Sequence, residues 1–205
     1  MSRQVLSKRV TVLSLTLLLS CVACACTAKP DGDKVSNLVS TAQNQNSQNQ
    51  NTQAEVKGPL PPPSGFVNDY AHVFNPESKK RLESVLTELR TKTDIEFAVV
   101  TVETTGGESI FDYSLAVAKG WGVGPKDTTK GGGLLLMLAV KDRQWRLQVS
   151  RSLEKDLPDD VSKELGEQSR GLYKQGKYAD GATKYVAAII GRLEEIKGFK
   201  LSEKL

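Results

Sequence analysis

Three carboxylates stand where the sequence predicts loops: Asp69, Asp127 and Glu154. Hard cations such as Ca2+ and Mg2+ take oxygen ligands from carboxylates, carbonyls and water. The glycine-rich stretch 120–132 can offer main-chain carbonyls near Gly124, so these four residues are the candidate metal ligands. Each carboxylate also has an ordinary use: Asp69 capping a turn before Tyr70, Asp127 turning the chain after Pro125, Glu154 pairing with Arg146 or Arg151. Arg143 and Arg146 lie on either side of Trp145 and are candidates to hold a phosphate, or they form a solvated strand face. A metal site with these arginines beside it would suit metal-assisted phosphoryl transfer, but no nucleophile is evident. The single histidine, His72, cannot build a His-rich metal site, and every residue after Cys26 is free of cysteine. A thiolate nucleophile or Cys-based metal site is therefore excluded from the folded part. The sequence lacks the D-x-D-x-D-G pattern of an EF-hand and the G-x-x-x-x-G-K-[ST] pattern of a phosphate-cradling loop.

These residues need elements to position them. Asn75-Pro76-Glu77 reads as a helix start, with Asn as cap, Pro at the first helical position and an acid in the first turn. Leu82, Val85, Leu86 and Leu89 follow as one apolar stripe. Residues 95–102 (IEFAVVTV) predict a strand and 110–119 a second helix with Ser109 as its cap. Residues 133–140 (GLLLMLAV) are apolar at nearly every position, which predicts a strand covered on both faces. A turn at Lys141-Asp142 leads to an antiparallel strand over 143–150, with Trp145, Leu147 and Val149 alternating. Two more helices are predicted, one from Asp159 or Asp160 and one over 178–196. Strand, helix and buried strand imply a parallel pair joined by a crossover. The predicted fold is a three-layer α/β/α sandwich on a small mixed, mostly parallel sheet. In it, the glycine loop and the segment 150–156 meet at the same sheet edge.

The N-terminal part is of a different kind. Arg3, Lys8 and Arg9 precede the apolar run VTVLSLTLLL, and small residues follow, the build of an export signal. Leu18-Leu19-Ser20-Cys21 has the form of a lipoprotein cleavage box, with Cys21 as the lipidated residue and Cys26 as the alternative. This expectation places the protein in the cell envelope, either held on a membrane by its lipid or released as a soluble periplasmic form. A multiply acylated cysteine would hold the chain firmly, at roughly 0.8 kcal/mol per buried methylene. Gln43 to Gln53 is almost pure Gln and Asn, and a proline-rich run follows; neither can support a core. The expected division is signal 1–26, linker 27–65, folded domain 66–200 and tail 201–205. Loss of Arg3, Lys8 and Arg9 with the signal lowers the net charge from +4 to +1. The folded part therefore carries no nucleic-acid footprint.

Val67-Asn68-Asp69-Tyr70-Ala71, Trp121-Gly122-Val123-Gly124, Gly133-Leu134-Leu135-Leu136, Asp142-Arg143 and Leu153-Glu154 with Leu157-Pro158-Asp159 occur in this order. Together they resemble the TPM domain, a family of extracytoplasmic domains that includes a thylakoid-lumen protein linked to photosystem II repair. The resemblance implies an exported α/β/α sandwich. It also implies Ca2+ or Mg2+ binding and acid phosphatase activity in some members, and service to a membrane-protein complex as a possible role. This sequence departs from the family where Gly-x-Gly-Leu-Glu-Gly is usual: Ser150, Ser152 and Lys155 replace the three glycines. Gly132 stands where many members carry Asn. The function expected is an envelope accessory or binding module with a possible divalent cation; the alternative is a metal-assisted acid phosphatase.

Overall fold

The computed structural model describes residues 59–127 and 131–205. The predicted signal, Cys21, Cys26 and the linker up to residue 58 lie outside the described residues. Among the described residues, four strands form one sheet in the order β1-β2-β3-β4: β1 Val67–Asp69, β2 Ile95–Val102, β3 Gly132–Ala139 and β4 Gln144–Val149. β1, β2 and β3 run parallel, and β4 closes the sheet antiparallel to β3. Five helices among the described residues accompany them: α1 Pro76–Thr93, α2 Ile110–Trp121, α3 Asp159–Glu167, α4 Arg170–Lys174 and α5 Tyr178–Lys197.

The sheet separates two apolar layers. Phe97, Val99, Leu134, Leu136 and Leu138 pack with α1 and α5 through Leu82, Leu86, Leu89, Tyr185 and Ile189. The alternate residues Ala98, Val100, Leu135 and Met137 pack on the other side against Val117 of α2. Every residue of β3 is buried, as its unbroken apolar run predicts. This is the expected three-layer α/β/α sandwich on a mixed, mostly parallel sheet.

Helix α1 starts as its sequence dictates. The Asn75 side chain accepts from the Ser78 N–H at 2.8 Å, and Pro76 occupies the first turn. Asp94 ends it in the left-handed region at φ 58°. The Glu83 carboxylate of α1 accepts from the Phe66 and Val67 N–H groups at 2.6 and 2.7 Å, fixing where β1 enters the sheet. Ser109 occupies the N-cap position of α2, but its side chain makes no capping bond.

Two elements escape the periodicity. β1 has three residues, too few to show alternation. α4 has five and buries none of them. The domain also extends beyond both expected boundaries. Leu60 packs against the α2-side core, and the Trp121 indole N–H donates to the Pro61 carbonyl at 2.9 Å. At the other end, residues 201–205 are no free tail. Leu201 is 5% exposed and Leu205 packs on the core. The buried Glu194 carboxylate accepts from the Leu201 N–H at 2.8 Å and from the Lys204 ammonium at 2.7 Å. No helix among the described residues is long and apolar enough to cross a membrane.

Candidate functional site

In open α/β sheets, ligands usually sit outside the strand carboxyl ends. Here that edge carries Asp69, Thr101, Thr104, Thr105 and Asp142, and its carboxylates are engaged by the chain itself. Asp69 ends β1 and accepts from the Val73 and Phe74 N–H groups at 3.1 and 2.9 Å. The Thr101 hydroxyl donates to the same carboxylate. These bonds fold residues 69–74 into a turn in which His72 adopts φ 53°. The neighbouring Asn68 is buried; it accepts from the Ser64 N–H at 2.9 Å and donates to the Gly65 carbonyl at 2.8 Å.

Asp142 clamps the segment leading to α2. It accepts from the Thr105 N–H at 2.8 Å, the Thr104 hydroxyl at 2.8 Å and the Thr105 hydroxyl at 3.2 Å. The Thr105 N–H first, then the Thr104 hydroxyl, holds its carboxyl below the usual range, against a smaller burial effect. Beside it Lys141 and Glu103 form an exposed ion pair at 2.5 Å.

The opposite edge holds the glycine loop. Gly124, at φ 112°, lies against Gly133, where an added Cβ would come within 2.4 Å of the Val123 carbonyl oxygen. Close backbone contact explains why these two positions are glycine. Ser150 completes the junction: its N–H donates to the Gly133 carbonyl, and its hydroxyl accepts from the Gly133 N–H, both at 2.9 Å. The Ser150 and Ser152 hydroxyls are 3.0 Å apart. A Cβ at Gly132 would lie 2.5 Å from Leu153 Cγ, so Asn would not fit there without movement. The predicted meeting of the glycine loop with the segment 150–156 is thus present. A cavity of about 430 Å³ opens beside it, with Lys119, Lys126, Gln148 and Ser150 among its walls.

The four candidate metal ligands are not brought together as one set. Asp69 is in register with Thr101 and Leu138, whereas Gly124 touches Gly133, five residues earlier on β3. At about 3.3 Å per residue the two edges are about 16 Å apart. Glu154 follows Ser150 on the glycine-loop edge; it is exposed and makes no hydrogen bond or ion pair among the described residues, with Arg146, Arg151 or any other group. Asp127 is exposed and has interactions of its own, at the last described position before residue 131. Among the described residues, no group of three or more His, Cys, Asp or Glu is placed to hold a metal ion.

The arginine pair is also divided. Arg143 lies in the β3–β4 turn at φ 55° rather than in the strand. It lines a cavity of about 440 Å³ with Trp145, Tyr173 and Lys174. Arg146 sits in β4, with its guanidinium 4.9 Å from the Phe111 ring centre and 3.5 Å from Asp159. It lines a different cavity, of about 380 Å³. Sequence reading missed the first cavity because α4, which forms one wall, has no periodic signal.

A four-stranded mixed sheet between helical layers, with a Gly-Gly contact at one edge and an Asp-capped turn at the other, defines a class of small α/β domains. The TPM domain model matches residues 67–192, and the chain belongs to this family. The N-terminal domain of a protein from P. gingivalis, solved by NMR, is similar at 27% identity. The match covers 67% of this chain and 87% of that one, with a TM-score of 0.59. The N-terminal domain of the cg2496 protein from Corynebacterium glutamicum shares the fold at 16% identity and TM-score 0.50, covering 74% and 95%. The BA42 protein from the psychrophilic bacterium Bizionia argentinensis does so at 18% and 0.51, covering 60% and 82%. No curated protein matches the sequence.

Proposed function

We propose that this TPM-domain protein is an exported, lipid-anchored binding module of the cell envelope, serving a membrane-associated partner rather than turning over a substrate. The observation that carries this reading is the use made of the motif residues. Asp69, Asn68 and Asp142 each spend their polar atoms on local backbone and hydroxyl partners. Residues so committed give a rigid scaffold, and rigid scaffolds with variable surfaces suit recognition. A divalent cation is compatible with this role, but Asp69 and Glu154 cannot share one: an ion would use one sheet edge or the other.

The anchor rests on the sequence: a basic start, an apolar run and Leu18-Leu19-Ser20-Cys21. The Gln/Asn-rich and proline-rich stretch then serves as a spacer between lipid and domain. Mass spectrometry of the mature protein from the membrane fraction tests this. A diacylglyceryl-modified N-terminal Cys21 is expected, and Cys21→Ser should release the protein from membranes. An unmodified terminus after Cys26, in a soluble fraction, would contradict the anchor.

A further inference from the structure

Among the described residues, β4 is the edge strand of the sheet, with β3 as its one strand neighbour. The main chain of Ser150 bonds to Gly133, and hydrogen-bonded pairs alternate along an antiparallel ladder. Gln144, Arg146 and Gln148 therefore turn their main-chain groups toward β3. Trp145, Leu147 and Val149 turn theirs outward, and those groups have no hydrogen-bond partner among the described residues. Such an edge is a template for another strand.

The flanks of this edge are shaped and charged unequally. Phe111, 43% exposed, stands on the α2 side, and the Arg146 guanidinium reaches from its ring past the strand edge to Asp159 on the other side, so an added strand displaces that side chain. Two cavities share Trp145 and Glu167 as walls, and the one at the Gln144 end reaches round to Ile110 of α2. Trp145 is fixed between them: its ring rests on Gly166, where a Cβ would come within 2.3 Å, and meets Tyr185 edge-on at 5.2 Å. The cavity beside the middle of β4 includes Asp159 and Asp160. The cavity at the Gln144 end includes Arg143, Lys174 and Arg170. Arg170 is paired with Glu167 at 2.9 Å, whereas Arg143 and Lys174 have no ion-pair partner among the described residues. The Tyr173 hydroxyl in the same wall is buried without a hydrogen-bond partner there.

We infer that the free edge of β4 receives an extended peptide running antiparallel to it, whose C-terminal carboxylate is held by Arg143 and Lys174. The direction follows from the charges. An antiparallel peptide ends at Gln144, beside two unpaired cations, and a carboxylate there gains charge-assisted hydrogen bonds. A parallel peptide would set its N-terminal amine against the same cations. Alternate peptide side chains would face Phe111 and the Trp145-walled cavities. This names the kind of partner for the binding-module reading and rests on that reading.

The test uses the full chain, labelled with nitrogen-15, and two N-acetylated heptapeptides of alternating valine and threonine. One ends in a free carboxylate and the other in an amide. With the free acid at millimolar concentration, amide exchange should slow at Trp145, Leu147 and Val149 and not at Gln144, Arg146 and Gln148, which β3 already protects. The amidated peptide should bind about tenfold more weakly, the loss expected for a charge-assisted bond. The Arg143→Ala/Lys174→Ala double variant, folded by circular dichroism, should bind both peptides equally weakly. The inference is overturned by three results: no slowing at the three outward amides, slowing indifferent to amidation, or slowing that grows with protein concentration without peptide, which would mark a second copy as the occupant. Those failures differ from failure of the binding-module reading, which would show as metal-dependent turnover.

Discussion

Gly133 has no room for a side chain. A methyl there would lie 2.4 Å from the Val123 carbonyl oxygen, a main-chain atom that cannot swing aside. Gly133→Ala should lower stability by about 1–3 kcal/mol, the usual cost of overpacking, measured by urea denaturation. Ser150→Ala removes the hydroxyl that accepts from the Gly133 N–H, and should cost about 1 kcal/mol in the same experiment. Glu194 gives a pH signature. Burial pushes its carboxyl up, but the Leu201 N–H and the Lys204 and Lys200 ammoniums outweigh it, bringing it down to about 2. A folded value below the unfolded one means stability present above about pH 4.3 and lost as pH falls toward 2. Urea midpoints measured across that window should fall more steeply for the native protein than for Glu194→Gln; parallel curves would remove Glu194 from the acid response. The motif residues were legible as important, but their work was not. Asp69 looks the same in a metal site and in a turn cap, and the Val73 and Phe74 N–H groups that it accepts from are main-chain donors that any sequence supplies.

At the scale of elements, strong local signals coincide with the structure. The stripe Leu82, Val85, Leu86 and Leu89 is buried, the Asn75 cap is made, and the all-apolar β3 is central. Asn75→Ala should cost about 0.5–2 kcal/mol by loss of the capping bond, checked by thermal or urea unfolding. Elements without a period were invisible. β1 owes its place to parallel pairing of Val67–Asp69 with Val99–Thr101 and to the Glu83 carboxylate, both long-range contacts. The same holds for α4, whose Tyr173 closes the cavity beside Arg143 by stacking near Tyr178, with ring centres 6.1 Å apart. Arg143 and Arg146 cannot share a strand face, because residues three apart on a strand point to opposite sides, and Arg143 moreover turns the hairpin at positive φ.

At the scale of the molecule, the folded unit is longer than its motifs suggest. Leu201 and Leu205 return to the core, and the 202–203 main chain bonds to Glu88 at 2.8 and 3.3 Å. Removing residues 201–205 should destabilise the domain by about 2 kcal/mol or more, from exposed apolar surface alone. A truncated chain that unfolds at the native urea midpoint would contradict this packing. The layer order followed from the alternation of strands and helices, and so did the meeting of the glycine loop with the segment 150–156. What could not be read was the distance across the sheet. Asp69 and the glycine loop fall at opposite ends of the parallel strands, five register positions or about 16 Å of strand apart. The central claim, a rigid binding domain rather than a metal-assisted phosphatase, is tested most directly by aryl phosphate turnover. The full chain is assayed with Ca2+ and with Mg2+ from acidic to neutral pH. The account predicts no saturable turnover with either ion; metal-dependent turnover abolished by Asp127→Ala would contradict it.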